Sequence, residues 1–78
     1  MNEIDNAIKL VLLNKKKTAY DQKYFDLTID FEIATEVNDL KLRQSVIDEM
    51  AKFKKAIKFI EDKIKALEKE VKDFVSES

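Results

Sequence analysis

The sequence predicts an all-α fold: an antiparallel helical hairpin of two long helices that dimerises into a four-helix bundle. Three observations predict it. In the second half an apolar residue stands at every step of an alternating four-three spacing, at Val46, Met50, Phe53, Ile57, Ile60, Ile64, Leu67, Val71 and Phe74. The chain contains no Gly and no Pro, the residues on which turns most often draw, so turns are few. A further apolar stripe along the first half finds no counterpart within the chain.

Helix 2 is expected over about 40–75. A heptad seam held for about four heptads without a miss is a dependable coiled-coil signal. A helix striped this narrowly must have another helix along it, because its seam would otherwise stand in water. Glu61 with Lys65 and Glu68 with Lys72 add i, i+4 pairs in the favourable order on the exposed side.

Helix 1, expected over about 3–37, supplies the partner seam: Leu10, Leu13, Lys17, Tyr20, Tyr24, Leu27, Phe31 and Ala34. When the chain is folded back at Asn38-Asp39, positions that sum to 77 face each other. Phe31 then meets Val46, Leu27 meets Met50, Tyr24 meets Phe53, and Leu10 meets Leu67. Lys17, opposite Ile60, is the polar intruder; its alkyl stem can cover the layer while its ammonium reaches water. Two local alternatives compete within this helix. Phe25, Leu27, Ile29, Phe31 and Ile33 alternate with polar residues, a period-two pattern that also suits a β-strand. A lone strand needs a partner, and no second strand and no hairpin turn signal is found, so helix is the preferred reading. Thr18 followed by Asp21 resembles a capping box, which would break the helix near Lys15–Thr18.

The turn, at 38–39, is chemically suited to its place. Asn38 tolerates the left-handed conformation that ends helices, a position usually given to Gly. Asp39 can cap the next helix by accepting a backbone N–H. Charge favours the same hairpin: Tyr24 to Asp39 carries Asp26, Asp30, Glu32, Glu36 and Asp39 and no base, whereas Leu40 to Lys58 is predominantly basic. Exposed ion pairs are worth only about 0.5 kcal/mol each, so charge selects register and orientation more than it stabilises.

The unpaired stripe consists of Ile4, Ile8, Val11, Phe25, Ile29, Ile33 and Val37. At 100° per residue these cluster opposite the hairpin seam. A helix apolar on two sides belongs inside a larger assembly. The expected partner is a second copy, a two-fold homodimer being the commonest closed solution; a foreign protein seated on the same face is the alternative.

Composition excludes much chemistry. At 78 residues the chain makes one small domain, near the limit of independent stability. It has no Cys and no His, so disulfides, thiolate metal sites and the usual general base are all missing. Without Gly there is neither a phosphate-cradling loop nor a dinucleotide fingerprint. The i, i+4 carboxylate pairs Asp26–Asp30 and Glu32–Glu36 lack the His that a di-iron helix site requires. The expectation is therefore no enzyme, no catalytic residue, no metal and no cofactor. Ile4-Asp5 superficially resembles the start of the all-helical chorismate mutases, but their sites need several Arg, and Arg43 is the only one here.

Nucleic acid is the rival partner. Lys15, Lys16, Lys17 and Lys23 lie at about the same height along the hairpin as Lys54, Lys55 and Lys58, and together they would form a positive belt. In size and architecture the expected hairpin dimer resembles the Rop type, and that resemblance, of shape alone, implies RNA contact through one face of the bundle. Against it stands a net charge of −1, since nucleic-acid binders usually carry a clear basic excess. The acidic, polar start is unlike a secretory signal, and the longest apolar run, Leu10 to Leu13, is far too short for a membrane span. A cytoplasmic small protein is expected, and its Lys, Ile, Asn and Asp richness fits a phage or prophage accessory protein that binds a partner protein. A purely structural assembly element is the third alternative.

Overall fold

The structure, a computed structural model, describes the backbone of residues 3–77 and the side chains of 4–71. Two helices account for nearly all of it: α1 spans Glu3–Glu36 and α2 spans Leu40–Glu77. Among the described residues there is no strand. The helices lie side by side as an antiparallel hairpin measuring 59 × 18 × 15 Å, with a radius of gyration of 17.5 Å. A globule of this length would have a radius of gyration of about 11.5 Å, so the molecule is a rod.

The turn is built by three residues. Asn38 has φ 59°, the left-handed value that Asn tolerates better than most residues. This lets the Asp39 N–H bond the Ala34 carbonyl at 2.9 Å and the Asn38 N–H bond the Thr35 carbonyl at 3.2 Å. Together these are the two bonds of a Schellman motif, made here without glycine. Asp39 then caps α2: its Oδ1 accepts the Leu42 N–H at 3.0 Å, satisfying a donor that the helix itself cannot.

α1 runs unbroken through Lys15–Thr18. The capping-box expectation fails because Thr18 donates its hydroxyl to the Asn14 carbonyl one turn back, at 3.2 Å. Asp21 is engaged instead by the Lys17 ammonium at 2.8 Å. The alternating segment Phe25–Ile33 is helical as well. Its inward positions Leu27 and Phe31 are partly covered by α2, whereas Phe25, Ile29 and Ile33 face outward.

The interior is thin. Among the described residues only Ala34, Val46, Ile60, Ile64 and Leu67 are buried, and no large side chain is fully enclosed. The remaining inner positions, among them Leu10, Leu13, Tyr20, Tyr24, Met50, Phe53 and Ile57, are half-buried. Phe74, the last expected seam position, lies outside the residues whose side chains are described, as does Lys72 of the expected Glu68–Lys72 pair. Two helices can cover each other along one stripe only, so chains of this size leave much apolar surface in water.

Contacts across the seam fix the register. The Tyr20 and Phe53 rings meet edge to face with centroids 5.5 Å apart, a favoured aromatic geometry. The Lys23 ammonium lies 5.9 Å from the Phe53 ring centre, and the Arg43 guanidinium 5.0 Å from that of Phe31. At the open end, Asn6 donates to the Glu70 carboxylate at 3.2 Å. These position pairs sum to 73, 76, 74 and 76, so side chains meet up to a turn from the layers that a sum of 77 assigns. Such spreading is expected when each side chain sits between residues of the facing helix rather than against one of them.

Candidate protein-interaction surface

The face of α1 turned away from α2 is the surface that the hairpin leaves incomplete. Within each half its residues recur at spacings of three or four, which brings them to one side of a helix of 3.6 residues per turn. Ile4, Ile8, Val11, Phe25, Ile29, Ile33 and Val37 are all exposed, by 43–70%. Leu12, 55% exposed, joins them. Within the run Leu10–Leu13 it is easily taken for a core residue, but its spacing of four from Ile8 places it outside.

The face is not uniformly apolar. It divides into an N-terminal patch (Ile4, Ile8, Val11, Leu12) and a C-terminal patch (Phe25, Ile29, Ile33, Val37). Between them the same spacing passes through Lys15, Thr18 and Gln22. This middle is locally self-satisfied: Thr18 bonds the Asn14 carbonyl, and Asn14 in turn donates to the Leu10 carbonyl at 2.9 Å. Scattered apolar residues on a surface need no explanation, whereas two contiguous apolar patches on one helix stand out from such scatter.

α2 contributes fewer exposed apolar residues, Leu40, Leu42, Ile47 and Phe59, of which Leu40 and Phe59 are as exposed as those on α1. The Lys63 ammonium lies 5.9 Å from the Phe59 ring centre, so that ring is partly screened by its own helix.

The lysines expected to form a belt are dispersed around the rod. Lys54, Lys55 and Lys58 border one open groove of about 720 Å³ together with Tyr24, Asp21 and Glu61. Lys23 lines a separate groove of about 580 Å³ with Asp26, Asp30 and Glu49. Lys16 borders a third, of about 320 Å³, beside Leu13, Tyr20 and Phe59. At 100° per residue, Lys16 and Lys23 fall on the other side of the inner stripe from Asp21, and Lys15 falls on the outer face. Two of the carboxylates expected to pair, Asp26 and Asp30, therefore sit beside a lysine.

Lys17 occupies the inner stripe as expected, with its side chain about one-third exposed. Its hydrogen bond to Asp21, and the charge of that carboxylate, hold the ammonium pKa above the ordinary 10.5; slight burial opposes this, and Glu61 adds a smaller effect in the same direction as Asp21. Lys58 pairs more loosely with Asp62 at 3.9 Å. Among the described residues, no cluster of three or more acidic side chains is placed to hold a metal ion. No described helix is long and apolar enough to cross a membrane. Searches of family models, of curated proteins and of solved structures find no match to this chain.

Proposed function

We propose that this chain is a non-enzymatic helical interaction module that works as a homodimer, pairing through the outer face of α1 to form a four-helix bundle and binding a partner protein along the resulting rod. The observation that carries the reading is the exposure of Ile4, Ile8, Val11, Phe25, Ile29, Ile33 and Val37, seven large apolar side chains on one helix face. Each exposes on the order of 100 Å², so a contact covering them in two copies would bury about 1,400 Å², within the span of specific interfaces. The absence of His and Cys supports a binding role over catalysis, because the most frequent general base and the thiol nucleophile are missing. The Lys, Ile, Asn and Asp richness suits an AT-rich bacterial or phage genome and so favours a phage or prophage accessory protein. A rigid rod of this kind would act by covering the surface of its partner.

The molar mass from light scattering tests the dimer. A mass of two chains is expected for the wild type, with Ile29→Asp shifting it to one chain while the helical circular dichroism signal persists. A wild type that stays monomeric at high micromolar concentration removes the reading.

A second reading rests on the groove of Lys54, Lys55 and Lys58 beside Tyr24, since cations flanking an aromatic ring suit single-stranded nucleic acid. Asp21 and Glu61 in the same groove weaken it. Capture from a lysate with and without nuclease separates the two readings. A nucleic-acid partner would be lost on nuclease treatment and would bind far more weakly as salt rises.

A further inference from the structure

The homodimer just proposed leaves open how the two hairpins point, and the outer face of α1 contains the answer. We infer that a second copy docks on this face antiparallel to the first, so that the N-terminal apolar patch of each α1 covers the C-terminal patch of the other and the two turns lie at opposite ends of the assembly. The inference rests on the dimer reading and adds its direction.

The argument begins with the four-three series on that face: Ile4, Ile8, Val11, Lys15, Thr18, Gln22, Phe25 and Ile29. In a parallel two-fold pair, equivalent positions of such a series meet each other. Lys15 would then face the partner's Lys15 in the middle of the contact, where both ammonium groups lose water and repel. The acidic stretch Asp26, Asp30, Glu32 and Glu36 would also run beside its own copy.

An antiparallel two-fold pair matches positions of constant sum. Only sums that bring one kind of seam position against the other kind build layers, and 33 and 40 are the two that overlap the helices most. A sum of 40 sets Ile8 against the partner's Glu32 and Ile4 against the partner's Glu36. A sum of 33 sets Ile4 against the partner's Ile29, Ile8 against the partner's Phe25, and Val11 against the partner's Gln22. Lys15 then faces the partner's Thr18 rather than another lysine. Ile4 and Ile8 thus pair with the partner's Ile29 and the partner's Phe25 about a point between positions 16 and 17, and Val11 meets the aliphatic stem of a glutamine. Like charges approach at two places. Lys15 and the partner's Lys15 flank the two-fold about 4.5 Å apart along the axis, where their long stems can carry the ammonium groups apart into water. At the rim Asp5 nears the partner's Asp26, both in water, so the repulsion is screened. The polar middle that divides the face into two patches becomes the centre of the two-fold. Ile33 and Val37 run past the start of the partner's α1. This register therefore covers five of the seven outer residues in each copy, about 1,000 Å² in all, an area typical of weaker, reversible pairs.

The protein has no cysteine, so single labels can be placed cleanly. Lys41→Cys, at an exposed site beside the turn and off the proposed interface, carries a spin label at the start of α2. At 1.5 Å per residue, the antiparallel dimer sets the two labels about 55–60 Å apart. A parallel dimer would bring them within about 30 Å, because both turns would share one end. A long distance in a sample of two-chain mass supports the inference. A short distance at that mass overturns the direction and leaves the dimer standing. A one-chain mass with no dipolar coupling overturns both. As an independent check, a mixture of Ile8→Cys and Phe25→Cys chains should form disulfide-linked heterodimers at least tenfold faster than either variant alone. Faster linking within the Ile8→Cys chains alone would overturn the antiparallel arrangement.

Discussion

α1 and α2 are similar in length, 34 and 38 residues, yet they use their apolar residues differently. α2 concentrates most of them on one stripe, and among the described residues four of the five buried side chains, Val46, Ile60, Ile64 and Leu67, are its own. α1 divides them between two sides. Its inner stripe is bulky and half-covered, with Tyr20, Tyr24 and Phe31 only partly enclosed, and its outer stripe is bare. The hairpin covers the main stripe of α2, leaving Leu40, Leu42, Ile47 and Phe59 outside it, and leaves a whole second stripe of α1 exposed. Two helices of one chain can thus differ in how they are used: α2 supplies most of the buried stripe, and α1 lines that stripe while carrying a second apolar side in the open.

That contrast can be broken, beginning with the largest effect. Ile60→Asp places a carboxylate in the buried stripe of α2, where an unpaired charge costs several kcal/mol, comparable to the whole stability of a domain this small. Loss of the helical dichroism signal at 25 °C is expected; a retained melting transition would show that the α2 stripe is not what holds the hairpin. Ile29→Asp makes the same chemical change on the outer stripe of α1 and should spare the helices. Its effect should fall on association, with the dimer dissociation constant rising at least a hundredfold in sedimentation. If both variants unfold alike, the two sides of α1 are not distinct.

The turn gives intermediate effects. Asp39→Ala removes the side-chain acceptor for the Leu42 N–H and should cost about 1 kcal/mol in urea unfolding. Asn38→Ala, forced into the left-handed region, should cost about 1–2 kcal/mol.

The smallest effect belongs to Lys17, the polar member of the inner stripe of α1. Its folded pKa is raised by Asp21, so its contribution is fully present below the unfolded value of 10.5 and is lost as pH rises through the higher folded value. A Lys17→Met variant should lack that alkaline loss, and comparing thermal melts of the two proteins between neutral pH and pH 11 would detect it.

The sequence was most legible where one physical rule acted alone. The unbroken α2 seam specified a long helix, and the missing Gly and Pro allowed a single turn that Asn38 and Asp39 could build. The seven outer residues of α1 were identifiable because helical geometry leaves them no other side. Legibility fell where local rules competed. The alternation through Phe25–Ile33 fitted two periods at once, and only the lack of a pairing strand favoured helix. Thr18 and Asp21 had the spacing of a cap, yet the Asn14 carbonyl and the Lys17 ammonium claimed them, which spacing alone does not reveal. Leu12 was concealed by its apolar neighbours. The grouping of the lysines depended on their angular positions around two helices and on which groove each one borders. Position along the rod, which brought them together as a belt, did not capture that.

The position of the bend bears on how the chain finds its shape. Asn38 sits near the midpoint, so Ala34 and Val46 can come together by closing a short loop, whereas Asn6 and Glu70 are 64 residues apart. Closing a loop costs more entropy the longer it is, so folding that starts at the bend and advances like a zipper avoids meeting the longest closure all at once. One closed end also ties the arms to a common measure: seven residues deleted from α1 beyond a given layer strand the layers they faced on α2. Matched deletions from both arms should shorten the rod by about 10 Å per heptad and leave the bend as it is.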